Sequence, residues 1–180
     1  MKKNLIALLV IALVSVGLFA ADPANASFQV TADVSGINLM KITTAKYEGS
    51  SPTDFANNTT VPIYAGPLSV TASGAQTLSA YISTMSNSRS GYHVTMTATA
   101  MKSTVGSVDA YINYTVAANN KSITTNGATA VAGVKVIEVT SLSGLGVESH
   151  LITLTVDATT FNAAVEGSYS GTVTFEYKTT

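Results

Sequence analysis

The sequence has no cysteine and no tryptophan, and it is poor in charge, proline and histidine. The lack of cysteine excludes disulfides, thiolate metal sites, a cysteine nucleophile and a cysteine-linked lipid anchor. Stability must therefore come from packing and from sheet hydrogen bonds. Aromatic residues are 7% of the chain and tryptophan is absent, which leaves little for a sugar-stacking platform. Charged residues are 11%, with a formal net charge of −1 and no basic run. That balance argues against nucleic acid as a partner, which would need a basic stripe. The two histidines, His93 and His150, are isolated in sequence and read as solvent-facing structural residues. No Gly-x-Ser-x-Gly elbow frames a serine, and no strand-to-helix step exists to strain one. The carboxylates are scattered at loops and strand ends without ligand spacing or an EF-hand loop, so neither a metal nor another cofactor is expected. Gly144-Leu145-Gly146 lies between two strand signals with no helix after it, so it reads as a turn and not as a phosphate loop. With no catalytic constellation, the chain does not read as an enzyme.

What is present begins with Met1-Lys2-Lys3-Asn4 and an apolar run from Leu5 to Phe19. Two lysines, a core of roughly 15 apolar residues and small residues after it describe a secretory signal peptide. The leader is placed at residues 1–21, with cleavage somewhere between 20 and 26. The run is short for a bilayer span, which needs ~20 residues. Removing Lys2 and Lys3 lowers the formal charge from −1 to −3. Export is the expected fate, to a periplasm and then to the cell surface or beyond. The rest suits one domain, divided into residues 22–35 and a body at 36–180.

Strand signals recur at short intervals. Phe28, Val30, Ala32 and Val34 alternate with Gln29, Thr31 and Asp33. Further extended runs are read at 37–44, 68–72, 78–82, 92–100, 111–116, 134–139 and 151–156. Val61-Pro62-Ile63-Tyr64 carries a proline and reads as an edge. Residues 48–60 and 118–130 read as surface loops, the second with a turn at Asn126-Gly127. Residues 158–166 alone have helical flavour. Many short strands rich in Val, Thr, Ile and Tyr, separated by Gly/Ser/Asn turns, predict an all-β fold, an immunoglobulin-like β-sandwich.

The C-terminal stretch is the most regular. Tyr169, Gly171, Val173, Phe175 and Tyr177 share one face of an extended strand, with Ser170, Thr172, Thr174, Glu176 and Lys178 on the other. Its head, Gly167-x-Tyr169-x-Gly171, looks like the tyrosine corner that opens the next-to-last strand of such sandwiches. The sequence ends with that strand, so a sandwich lacking its last strand is the expectation, with an edge in need of cover.

These two ends together resemble chaperone–usher pilin subunits, including the archaic type related to spore coat protein U. Ala26 to Val34 is similar to the alternating N-terminal extension of that family, and Gly167 to Phe175 to its closing strand. The resemblance implies an incomplete sandwich whose groove is filled first by a periplasmic chaperone and then, at an usher, by the extension of another subunit. It implies donor side chains at Phe28, Val30, Ala32 and Val34, and an acceptor groove at Tyr169, Val173 and Phe175. The chain departs from the family in lacking a disulfide and in ending Tyr177-Lys178-Thr179-Thr180. Taken without the resemblance, Phe28 to Val34 is equally the first strand of a closed sandwich.

Three functions are therefore carried forward. The first is a fimbrial structural subunit of a surface fibre or coat, joined to other copies or related subunits by strand addition. The second is a free-standing secreted adhesion or carbohydrate-binding sandwich that uses its loops. The third is a small outer-membrane β-barrel, which the strand number and leader permit.

Overall fold

The computed structural model describes residues 29–180. The chain divides into two units, Met1–Val34 and Ser35–Thr180. The signal-peptide expectation and Phe28 lie outside the described residues. In the first unit, residues 29–34 adopt no regular structure, and Val30 and Val34 are 80% and 84% exposed.

The second unit is an all-β sandwich. One sheet runs in the order β1 (Asn38–Thr43), β3 (Tyr81–Ser86), β10 (Gly146–Val156), β7 (Tyr114–Ala118), β8 (Lys121–Thr124), with β2 (Gly74–Gln76) also paired to β10. The other runs β11 (Val173–Thr179), β4 (Tyr92–Ala98), β9 (Val134–Val139). A hairpin of β5 (Met101–Val105) and β6 (Val108–Ile112) continues from β4. Every named strand pair is antiparallel. The sheets are open at their edges, so the arrangement is a sandwich and not a closed cylinder.

Period-2 alternation builds the core. Tyr92, Val94, Met96 and Ala98 of β4 point inward and are buried. They meet Ile82, Tyr114, Val116, Ile152 and Val156 from the larger sheet. Each fully buried side chain of this size contributes about 1.5–3 kcal/mol. Asn119 and Asn120 both take positive φ, 48° and 59°, the geometry of a two-residue type I′ hairpin between β7 and β8.

Strand β3 is buried on both faces. Its outer side is covered by α1 (Pro52–Asn57), where Phe55 packs with Tyr47 and Met85 in a second small core. The stretch read as surface loop 48–60 is thus partly an inward-facing cover. The Ser51 side chain accepts the Asp54 amide and starts the helix with Pro52 in its first turn. Lys41 Nζ donates to Phe55 O at 2.8 Å and to Asn58 Oδ1 at 2.6 Å, satisfying its C-terminal end.

Between the last two strands, α2 (Ala158–Asn162) is capped by Asp157. The Tyr169 hydroxyl donates to Val165 O at 2.9 Å, four residues upstream. That bond is the geometry of a tyrosine corner.

Candidate functional site: an apolar groove beside an unpaired strand

Sheet edges expose unpaired N–H and C=O groups, and folded proteins blunt them. Most edges here are blunted. Strand β8 has four residues and carries Lys121. Strand β9 is bent by a register shift opposite Val94/Thr95 and carries a Lys135–Glu138 ion pair at 2.8 Å. Strand β1 is covered on its outer side: the Thr44 amide donates to Pro62 O at 2.9 Å and the Tyr64 amide to Ile42 O at 2.8 Å.

Strand β11 differs. It pairs with β4 from Val173↔Ala98 to Thr179↔Tyr92, and among the described residues it has no partner on its other flank. Upstream, Ser170 exchanges backbone bonds with Lys102, at 2.8 and 3.0 Å. The strand's own charges, Glu176 and Lys178, sit 3.0 Å apart towards one end. Its Val173–Phe175 half has neither charge nor proline.

Alongside that half lies a groove of about 540 Å³. Tyr169, Gly171, Val173 and Phe175 form one wall. Ile42, Tyr64, Leu68, Val70 and Leu78 line it as well. Ala80, Met101, Tyr114, Val116, Ile152 and Leu154 also line it. No lining residue carries a charge. The lining is mostly apolar, with Tyr64, Tyr114, Tyr169, Ser170 and Thr172 as its polar side chains, and it lies beside the unpaired flank of β11.

Polar contacts between the sheets flank it. The Tyr177 ring stacks on Tyr92 at 4.9 Å. The Tyr177 hydroxyl donates to Asn38 Oδ1 at 2.8 Å and lies 3.1 Å from Ser86 Oγ. These contacts tie β11 to β1 and β3 beyond the stretch that lines the groove. At the other end, Tyr114 reaches across to Thr172 O at 3.4 Å. Burial pushes the Tyr114 phenol up to about 12. Gly171 is needed at this crossing, because a Cβ would sit 2.8 Å from Thr99 O and 3.1 Å from Ala100 O.

The structure brings Tyr169, Val173 and Phe175 together on one wall of this groove. Val30, Ala32 and Val34 are exposed and lie in no strand, and Phe28 is outside the described residues. The lining residues from Ile42 to Leu78 were not anticipated as a site. Their sequence signal was the alternation of Leu68 and Val70, which reads as an ordinary strand. His93 is half-buried, its Nδ1 without a hydrogen-bond partner among the described residues, and His150 pairs with Glu148 at 2.9 Å within β10, away from the groove. Neither is simply a solvent-facing residue.

Compared with family models, with curated proteins and with solved structures, the chain gives no match.

Proposed function

We propose that this chain is an exported structural subunit that assembles by strand addition: the groove beside β11 receives residues 28–34 of another copy. The observation that supports this reading is the contrast among edges. Strands β1, β8 and β9 are short, bent, charged or covered, while β11 borders a charge-free apolar groove. Such an edge invites an extended segment whose main chain supplies affinity and whose alternate side chains supply specificity.

The chain itself contains a segment of that description. Phe28, Val30, Ala32 and Val34 alternate with polar residues over seven positions, and the stretch that lines the groove, residues 169–175, also has seven. An extended segment of that length spans ~23 Å at ~3.3 Å per residue. Val30 and Val34 are exposed large apolar side chains, and burying each contributes about 1.5–3 kcal/mol. A slip of one residue would turn all four pegs outward, so the register is self-specifying. The pilin resemblance of both ends points the same way, and under it a periplasmic chaperone and an usher would be further partners.

The test is expression of the mature chain with and without residues 22–35. The complete chain should form concentration-dependent chains by light scattering, and the shortened one should not. Two equally stable monomers would refute the proposal.

A further inference from the structure

Half of β10 has a bare flank. The strand has 11 residues and lies between β3 and β7. On one side β3 pairs with residues 146–151, and β2 with residues 154–156. On the other side β7 pairs only with residues 152–156, because the β7–β8 hairpin turns back at Asn119 and Asn120. Among the described residues no backbone hydrogen bond reaches residues 146–151 on that side. A hollow of about 450 Å³ lies where β7 stops, with Ala118, Asn119, Asn120, His150 and Leu151 in its lining. Leu151 is 46% exposed. Charged side chains normally protect such an edge, and Glu148 and His150 stand on this one, on the same face, with Oε2 and Nε2 2.9 Å apart.

Here the two charges complement themselves. Residues directly opposite in an antiparallel pair point to the same face. Two copies related by a two-fold axis must therefore centre their pairing on a single residue. Centring on His150 or Leu151 sets a residue against Ile152, whose flank β7 already holds. Centring on Val147 leaves only residues 146–148 in register. Centring on Glu148 sets carboxylate against carboxylate, which destabilises a pair. Centring on Ser149 sets Glu148 of each copy against His150 of the other, and Val147 against Leu151. We infer that the bare flank of β10 is a self-association edge, where a second copy adds its own residues 147–151 antiparallel and the two larger sheets become one. The hollow beside Asn119 leaves room for the second copy's chain to turn away at Gly146. This edge is separate from the groove beside β11 and does not depend on strand addition there. With about five residues a side, against the ~20–30 of a standard interface, the contact is weak and transient.

Covalent trapping reads such a contact. The chain has no cysteine of its own, so mature chains carrying Val147→Cys are mixed with mature chains carrying Leu151→Cys under mild oxidation. In the inferred register the two positions are opposite, within the about 4.4–6.8 Å between Cα atoms that a disulfide spans. Their mixed disulfide should form about tenfold faster than that between Leu151→Cys and Leu145→Cys chains, positions opposite only in the register centred on Glu148. Adding His150→Glu to both chains sets carboxylate against carboxylate and should slow linkage by about tenfold. Exchanging the two residues, Glu148→His with His150→Glu, should restore it. Equal linkage of the Val147→Cys and Leu145→Cys mixtures, or a failure of the exchanged chains to recover, would overturn the inference. Either result leaves strand addition standing, since its contacts lie at β11.

Discussion

Single residues decide how firmly the two sheets are tied. Tyr177 is half-buried, stacked on Tyr92 and hydrogen-bonded across to Asn38. Tyr177→Phe keeps the stack and removes the hydroxyl. It should cost about 1 kcal/mol, read as a fall in Tm of about 2–4 °C for a chain of this size. No change in Tm would mean that the hydroxyl contact does not hold the sheets together. At residue scale the sequence was readable where one side chain has one job. Tyr169 in Gly-x-Tyr-x-Gly forecasts its bond to Val165 O because the corner is a local motif. Phe55 gives no such signal: it stands alone in a polar stretch, and its burial is dictated by Tyr47 and Met85, which lie far away or on another face.

At the scale of elements, legibility follows burial on one face. Strand β4 alternates buried and less buried residues, and β9 matches its expected bounds. Strand β3 was read at 78–82 and found at Tyr81–Ser86, because α1 covers its outer face and both faces are buried. That removes the period-2 signal. The β5–β6 hairpin was missed for the opposite reason. Val105 and Val108 are 60% and 70% exposed, and its strands carry few buried residues to mark a face. The stretch read as one strand at 111–116 divides at Asn113 between β6 and β7. Residues 68–72 alternate but lack a ladder, since pairing depends on a neighbour and not on the segment alone. The helix α1 carries an element-scale prediction. Lys41 reaches its C-terminal carbonyls and lies 5.7 Å from the Phe55 ring centre. Lys41→Met keeps the aliphatic stem and removes the cation. It should destabilise the chain by about 1–3 kcal/mol in urea unfolding, and an unchanged midpoint would deny α1 this anchor.

For the molecule as a whole, titration sets the limits of stability. The Thr60 hydroxyl, and after it that of Tyr47, hold the Asp54 carboxyl below its ordinary range. The Thr160 amide and hydroxyl do the same for Asp157. Groups with lowered folded values stabilise fully above their unfolded value, about 3.9 for Asp. That contribution is lost as pH falls through the lower folded values. Tyr114 works in the other direction. Its folded value is raised from 10.0 to about 12, so its contribution is complete below pH 10 and is lost as pH rises towards 12. Urea midpoints across pH should therefore fall at both extremes. Tyr114→Phe should flatten the alkaline fall, and an identical alkaline profile would show that this phenol does not govern it.

The same scale holds the central claim, that one copy's leading segment lies along β11 of another. The natural absence of cysteine gives a clean measurement. Neighbouring strands bring Cα atoms within the 4.4–6.8 Å that a disulfide requires. Chains carrying Thr31→Cys would be mixed with chains carrying Thr172→Cys or Thr174→Cys, exposed positions beside and within β11 that leave the groove's apolar walls intact. A Thr153→Cys chain, altered on the other sheet, serves as the control. The account predicts a disulfide-linked pair of unlike chains for at least one position beside β11 and none for the control. Equal linkage to Thr153→Cys, or no linkage at either β11 position, would contradict it.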